Sequence, residues 1–198
     1  MSSRDLILGR VRAALRDAPV VAEVPREYRQ GGRAVDVEVL VDRLVDYKAE
    51  VHRVSSAEVV GAVAAIVGGE AAVLVPPGLP ESWRPAGAFV DDDLAPDRIA
   101  AADAVLTAAA VAVAETGTIV LDASPDQGRR IITLLPDVHI CVLRTDQVVA
   151  AVPDAVARLD PRRPLTWISG PSATSDIELN RVEGVHGPRH LHVLLVAD

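Results

Sequence analysis

Residues 51–75 read VHRVSSAEVVGAVAAIVGGEAAVLV, and their pattern indicates the class of fold. This stretch opens with a strand-like run, and Ser55 with Glu58 then forms the capping-box pattern that begins a helix. The helix is predicted to end at Gly68-Gly69, and the stretch closes on a short apolar strand at 71–75. A strand, a helix and a second strand in this order are typical of α/β proteins whose sheet is buried under helices.

Strand-like and helical runs continue to alternate along the rest of the chain. Thr116-Gly117 is a two-residue connection that suits a hairpin, which adds one antiparallel pair. The sequence therefore predicts the α/β class, with an open sheet of mixed direction flanked by helices. The remaining predicted strands are at 88–90, 104–107, 111–114, 118–122, 139–143, 165–169 and 190–196, and the remaining predicted helices are at 146–158 and 175–182.

The N-terminal part has a different pattern. Residues 3–17 carry an apolar stripe at helical spacing. Residues 18–34 contain two prolines and a Gly-Gly pair without any periodicity, which is typical of an extended linker, and a second amphipathic helix follows at 37–48. We therefore divide the chain into an N-terminal helix and extended linker, residues 1–34, and an α/β domain, residues 35–198.

The core of this domain must be built from small side chains. Of the 198 residues 49% are hydrophobic but only 3% are aromatic, and the sequence contains 31 Ala and 32 Val. This apolar content excludes intrinsic disorder, and no uncharged run is long enough to span a membrane. The N-terminus lacks an apolar leader segment, so a cytoplasmic location is expected.

Charge and cysteine content exclude several classes of function. The net charge of −8 argues against a nucleic-acid-binding protein. Lys48 is the only lysine, and neither G-x-x-x-x-G-K-[ST] nor G-x-G-x-x-G occurs, so no nucleotide site is predicted. Cys141 is the only cysteine and lies in an apolar run. It is predicted to be an inert core thiol, and one chain can hold neither a disulfide nor a Cys-ligated iron–sulfur cluster.

The stretch richest in polar groups is residues 167–178, WISGPSATSDIE. One interpretation is purely structural, a loop at Gly170 followed by a capping box from Ser175 to Glu178. The functional interpretation is a polar ligand site, because backbone N–H groups and hydroxyls gather at the C-terminal end of a strand. Asp176 and Glu178 would repel a phosphate, which leaves a hydroxylated or carboxylate ligand.

Two shorter stretches also allow both a structural and a chemical interpretation. Glu115 precedes the predicted hairpin turn, where turn chemistry explains the pattern, but a carboxylate beside a glycine is also a candidate general base or nucleophile. Gly128-Arg129-Arg130 is a small basic spot. It could pair with a substrate carboxylate or simply answer nearby acids.

Two groups of residues could ligate a metal ion, and a structural role is favoured for both. His186 and His190 are four residues apart, but Gly187-Pro188 breaks any helix between them. His190 and His192 share one face of a strand, with no third ligand fixed by spacing. Asp91-Asp92-Asp93 could bind Mg²⁺, yet a charged turn is the usual meaning of such a run. The sequence thus predicts no metal site.

Four motifs occur in a fixed order and together carry a resemblance. They are Ala114-Glu-Thr-Gly-Thr-Ile-Val-Leu121, Leu134-Leu-Pro-Asp-Val-His139-Ile, Ser169-Gly-Pro-Ser-Ala-Thr-Ser-Asp-Ile-Glu178 and Val182-Glu-Gly-Val-His-Gly-Pro188. In this order and spacing they resemble the lactate-utilisation protein C family, which carries the LUD domain. The resemblance covers roughly residues 35–198 and departs from the family pattern at Ser175, where alanine is expected.

The resemblance implies a fold, partners and a site. The fold is similar to the isomerase/CoA-transferase-like group, the architecture of ribose-5-phosphate isomerase and glucosamine-phosphate deaminase. The chain would act beside A- and B-type iron–sulfur proteins in the oxidation of L-lactate to pyruvate, with the clusters only in these partners and no cofactor in this chain. The implied site comprises Glu115 as the catalytic group, with Thr116, Gly117, Gly170, Ser172, Thr174, Asp176, Glu178, His186 and Gly187 as ligand-binding residues.

Three functions stay open on the sequence alone. The first is a non-redox subunit of a lactate-oxidising system, which binds a small carboxylate or docks the iron–sulfur partners. The second is a free-standing isomerase or CoA-transferase-like enzyme that uses Glu115, although one lysine and a net charge of −8 leave little surface for phosphate or CoA. The third is a structural or regulatory adaptor. None of the three involves nucleic acid or a membrane span.

Overall fold

The computed structural model describes residues 2–17, 23–29, 31–174, 182–183 and 187–197. The α-helices of this part are α1 (Ser3–Ala14), α2 (Val37–Asp46), α3 (Val59–Val67), α4 (Pro96–Ala100) and α5 (Val152–Arg158). Its strands are β1 (Glu50–Val54), β2 (Val73–Val75), β3 (Phe89–Val90), β4 (Ala104–Ala108), β5 (Val111–Val113), β6 (Thr118–Leu121), β7 (Val138–Arg144), β8 (Val148–Val149), β9 (Thr166–Ile168), β10 (Ala173–Thr174), β11 (Val182–Glu183) and β12 (His190–Val196).

The strands form two principal sheets, one parallel throughout and one of mixed direction, in which β5 and β8 are parallel. Six parallel strands make the main sheet, in the order β1-β12-β7-β4-β2-β3. The second sheet has the order β8-β5-β6-β9, and its β5–β6 and β6–β9 pairs are antiparallel. The predicted α/β class with mixed strand directions is confirmed. A hairpin joins β5 to β6 as predicted, but its connection is the four residues 114–117 and not the two residues Thr116-Gly117, because the last cross-strand pair is Val113 with Thr118. Strands β10 and β11 form a small separate antiparallel pair.

Two apolar layers lie on opposite faces of the main sheet. On one face, Leu40 and Leu44 of α2 pack with β5 and β6 of the second sheet against β7 and β12. On the other face, Val59 and Val63 of α3 pack against β2, β4, β7 and β12. Because neighbouring residues of a strand point to opposite faces, Leu191 and Val193 belong to the first layer while Leu194 belongs to the second.

Several predicted elements differ from the observed ones. The helix predicted at 146–158 is shorter, because Thr145–Gln147 forms a 3₁₀ turn and the next two residues pair with β5 as β8. Tertiary pairing has overridden the local helical pattern there. The helix predicted at 175–182 falls outside the described residues except for its last residue, which lies in β11.

The N-terminal segment lies partly on the domain. Helix α1 has a capping box between Ser2 and Asp5 and buries none of its residues. In the linker the Gly32 N–H donates to Asp154 Oδ1 of α5 at 2.7 Å. The division at residue 34 stays a prediction. In the part of the chain described here, every helix is too short or too polar to cross a bilayer.

Candidate functional site

A pocket of about 170 Å³ lies where the second sheet meets the start of β7 and β12. One wall is the loop after β9, and the Ser172 N–H donates to the Pro188 carbonyl at 2.8 Å, which ties this loop to the segment that leads into β12. The floor comes from His139 and Leu191, which are direct partners in the β7–β12 register. The lining residues are Arg130, Thr133, His139, Thr166, Trp167, Ile168, Ser169, Gly170, Pro171, Ser172, Gly187, Pro188 and Leu191.

Arg130 supplies the positive charge of this pocket. It begins the 3₁₀ turn Arg130–Thr133, and its Nη1 donates to the Thr133 hydroxyl at 2.7 Å and to the Thr133 carbonyl at 3.2 Å. Among the described residues it forms no ion pair with a carboxylate. Desolvation lowers the pKa of its guanidinium below the usual value, but an arginine stays protonated at neutral pH.

The neighbouring Arg129, in contrast, forms ion pairs with aspartates. It donates to both carboxylate oxygens of Asp91, which is 5% exposed, and to Asp93 Oδ1. This ion pair holds the pKa of Asp91 below its usual range. Two of the three carboxylates of the run 91–93 therefore form ion pairs with one arginine. Of the two arginines in the basic spot, Arg129 forms ion pairs with nearby carboxylates and Arg130 faces the pocket.

His139 places a neutral imidazole in the same pocket. It is 2% exposed, and its Nε2 hydrogen-bonds with the Thr107 hydroxyl at 2.9 Å. Desolvation, helped by the charge of Arg130, lowers its pKa to about 4. Among the described residues that line the pocket, one permanent cation is therefore combined with an uncharged imidazole, an arrangement that suits a monoanion. His139 was not among the site residues predicted from the sequence. It lies in the family motif at residues 134–140, which could have indicated it.

Two glycines of the predicted site also hold α2 in place. Gly117 has φ +60°, and a Cβ there would lie 2.6 Å from Arg43 Cβ. Gly170 has φ +83°, and a Cβ there would lie 2.6 Å from the Tyr47 carbonyl oxygen. Both positions require a left-handed backbone and a close approach to α2 or to the residue that follows it. Packing therefore accounts for both glycines, and Gly170 lines the pocket as well.

Glu115 lies at the hairpin, outside the lining of the pocket. Its Oε1 accepts hydrogen bonds from the Arg29 guanidinium and, at 3.3 Å, from the Val152 N–H. Burial raises the pKa of this carboxyl, but the hydrogen bonds and the charges of Arg29 and Arg33 outweigh it and leave the pKa below its usual value. A carboxylate that an arginine keeps ionised is a weak base. The catalytic role of Glu115 therefore stays a prediction, without support from the surroundings of this residue.

Hydroxyl groups connect the hairpin with the pocket. Thr116 Oγ1 and Thr118 Oγ1 are 2.8 Å apart, and Thr118 Oγ1 and Ser169 Oγ are also 2.8 Å apart. Ser169 lines the pocket. Thr116 therefore lies two hydrogen bonds from the pocket wall.

The structure brings together part of the site predicted from the sequence. Gly170, Ser172 and Gly187 line one pocket, while Glu115, Thr116 and Gly117 lie at the neighbouring hairpin. Thr174 is in β10. Asp176, Glu178 and His186 fall outside the described residues. As a set of functional residues, these assignments remain predictions.

A second cleft lies at the carboxyl ends of β2 and β4, where α/β sheets commonly bind ligands. Asp122 and Asp126 both line it. Burial, helped by the charge of Asp122, raises the pKa of Asp126. Arg158 lines the same cleft, and Arg163 forms an ion pair with Asp122 at 3.1 Å, so this cleft contains both acidic and basic groups.

Cys141 is buried, as the sequence predicted. Burial raises the pKa of its thiol to about 12, so it is protonated at neutral pH. Iron–sulfur clusters need several thiolates, and this sequence offers one buried thiol. The residues of this chain therefore do not fit a Cys-ligated cluster.

Comparison with known proteins identifies the family. The LUD domain model matches residues 90–196. A lactate utilization protein C from Deinococcus radiodurans is 52% identical over 162 residues, which cover 78% of this chain and 76% of that protein. A lactate utilization protein C from Bacillus subtilis is 35% identical over 101 residues, which cover 47% of this chain and 42% of that protein.

A solved structure extends the similarity to the fold. The crystal structure of a DUF162 family protein from Deinococcus radiodurans superposes with a TM-score of 0.70 at 43% sequence identity. The superposition covers 81% of this chain and 95% of that one. The family motifs, the family model and the shared fold agree, and this chain belongs to the LUD domain family of lactate-utilisation C proteins.

Proposed function

We propose that this chain acts in lactate utilisation and binds a short-chain 2-hydroxy or 2-oxo carboxylate, such as L-lactate or pyruvate, in the pocket at Arg130. The observation that carries the proposal is a guanidinium that lines a small pocket and, among the described residues, has only Thr133 as its hydrogen-bond partner. An arginine is the side chain best suited to pair with a planar carboxylate.

The size of the pocket supports a ligand of a few heavy atoms. At about 170 Å³ it is smaller than the roughly 300–1,000 Å³ of pockets that enclose drug-sized molecules. A three-carbon acid is of suitable size, whereas coenzyme A is far too large to be enclosed. The neutral imidazole of His139 and the hydroxyls of the wall provide polar partners for the oxygen on carbon 2. This favours the carboxylate-binding hypothesis over the CoA-transferase one.

In this proposal the electrons of lactate oxidation leave through A- and B-type iron–sulfur partner proteins. The supporting argument is chemical, since the one thiol of this chain is buried and protonated. The names of the related proteins add support, because two of them are called lactate utilization protein C. The chain would contribute substrate binding, partner docking or both.

Arg130→Gln is expected to weaken the binding of L-lactate or pyruvate by about 10- to 100-fold. Removing one partner of a charged hydrogen bond costs about 1.5–3 kcal/mol, which converts to that range. Isothermal titration calorimetry of the full chain with L-lactate, pyruvate and propionate measures the change. Propionate lacks the oxygen on carbon 2, so its affinity separates carboxylate pairing from recognition of that oxygen.

Arg162→Gln is the matched control, because it changes the net charge equally at an exposed residue outside the pocket. It should leave the affinity unchanged. Equal affinity of wild type and Arg130→Gln, or no binding of any of the three acids, contradicts the proposed pocket.

Co-expression with A- and B-type iron–sulfur proteins tests the partner proposal separately, and we expect the three chains to co-elute in size-exclusion chromatography. Separate elution at micromolar concentration contradicts it.

A further inference from the structure

A cluster of potential metal ligands lies away from the pocket, on the opposite face of the main sheet. Glu50 and His52 are two residues apart on β1, so they share a face, and His192 of β12 is the direct register partner of Glu50. The preceding residue of β12, Leu191, faces the pocket described above. The cluster and the pocket are therefore separate sites.

The geometry of the three ligand atoms fits one bound ion. His52 Nε2 and His192 Nδ1 are 3.2 Å apart, and His192 Nδ1 and Glu50 Oε2 are 3.8 Å apart. All three atoms lie within 4.8 Å of one another. Metal–ligand bonds of about 2.0–2.1 Å at tetrahedral angles place neighbouring ligand atoms about 3.3–3.4 Å apart. Small side-chain movements would therefore complete the coordination.

We propose that Glu50, His52 and His192 bind zinc or another divalent transition-metal ion. Two imidazoles and one carboxylate are a ligand set that favours zinc and its neighbours in the first transition row over Mg²⁺ or Ca²⁺, which take oxygen ligands. Three protein ligands leave the fourth tetrahedral position open for water or a further ligand.

The surroundings leave access to that open position. The cluster faces a cleft of about 610 Å³ that it shares with Ala62, Ala65 and Ile66 of α3. Two alanines on the facing helix leave space above the imidazoles. Arg53 also borders the cleft, but both carboxylate oxygens of Glu38 accept hydrogen bonds from its guanidinium, so its charge is already matched. The Glu50 carboxylate remains available to a cation.

A hydrogen bond between the two imidazoles explains the 3.2 Å distance without any metal. It does not involve Glu50, whose carboxylate oxygen lies 3.8 Å from the same nitrogen, within ion-pair distance of a protonated His192 but beyond hydrogen-bond distance. A shared ion accounts for the convergence of all three side chains. The two explanations differ in what happens when a metal is added, so titration separates them.

The test is a titration of the tag-free full chain with Zn²⁺ by calorimetry and with Co²⁺ by absorption spectroscopy. We expect one ion per chain, with the intense visible bands of tetrahedral Co²⁺. His52→Ala and Glu50→Gln should each weaken the affinity roughly 100-fold, since loss of even an outer-shell partner costs about 10- to 100-fold. Both residues are at least partly exposed, so these variants are expected to fold.

His190→Ala is the matched control. His190 is an exposed imidazole two residues from His192 on the same strand face, and it is not one of the three converging residues. It should leave the Zn²⁺ affinity unchanged. No binding of Zn²⁺ or Co²⁺ at millimolar concentration overturns the proposal. So does binding that survives in the His52→Ala/Glu50→Gln double variant, because the ion must then be held elsewhere.

Discussion

Gly170→Ala is expected to lower the free energy of unfolding by about 3 kcal/mol. At φ +83° a residue with a Cβ pays about 1–2 kcal/mol for the left-handed backbone. The new Cβ would also lie 2.6 Å from the carbonyl oxygen of Tyr47 and 2.7 Å from its Cβ, so the backbone after α2 must move. Such overpacking typically costs a further 1–3 kcal/mol. Urea unfolding at pH 7 measures the sum.

Gly87→Ala separates the two contributions. Gly87 has φ +79°, nearly that of Gly170, but no atom lies within 4 Å of a Cβ built there. We expect a loss of only about 1 kcal/mol for this control, from backbone strain alone. Equal losses at the two positions would show that the contact with Tyr47 is unimportant, and packing would then no longer explain why this loop of the pocket wall needs a glycine.

His139→Gln is expected to remove much of the acid sensitivity of the protein. In the folded state the pKa of His139 is about 4, against about 6.5 in an unfolded chain. Between these values the unfolded state binds a proton that the folded state does not, so stability falls as the pH falls through this window. One such proton amounts to about 1.4 kcal/mol per pH unit, or about 3 kcal/mol in total.

Unfolding curves at pH 7 and pH 4.5 for wild type and His139→Gln measure this difference. Glutamine does not titrate in this range and can still hydrogen-bond with the Thr107 hydroxyl. The wild type should lose more than 2 kcal/mol beyond the loss of the variant. If the free energy of unfolding changes equally with pH in the two proteins, His139 is accessible and titrates normally. The claim that the proposed binding pocket contains a neutral imidazole would then be wrong. His192, whose pKa burial also lowers, is unchanged in both proteins and cancels in the comparison.

Gly170 connects the pocket with the end of α2, the helix that packs on the core. This residue lines the pocket and also contacts the chain immediately after α2. Leu40 and Leu44 of α2, both essentially unexposed, fix the helix in the layer between the two sheets. The loop that forms one wall of the pocket therefore packs against the end of a helix that is fixed in the core.

The local sequence pattern correctly predicted most of the elements that depend on interactions between residues close together in the chain. The capping box at Ser55, the Gly68 helix end and the hairpin around Gly117 each depend on residues a few positions apart, and all three are observed, although the hairpin connection has four residues where two were predicted. The helix predicted at 146–158 was too long because pairing between β8 and β5 competes with it. That competition involves a strand far away in the sequence, which periodicity does not detect.

The motifs identified the family, but they did not give the location of the pocket that we propose as the binding site. The sequence predicted a site at the end of a strand near Gly170, and the loop after β9 does line the pocket. It did not single out His139, nor did it decide between the two roles left open for the basic spot. Those choices depend on which side chains the β7–β12 register and the turn after Gly128 bring to one place.

Composition and local spacing were enough to predict the α/β class, the strand–helix order, the family and the lack of thiols for a cluster. The three-dimensional arrangement was needed to show that Arg129 pairs with Asp91 while Arg130 faces a pocket, and that His52 contacts His192, 140 positions away in the chain. The contact between the two imidazoles depends on strand register, and a shift of one residue in either strand would turn its histidine to the other face of the sheet.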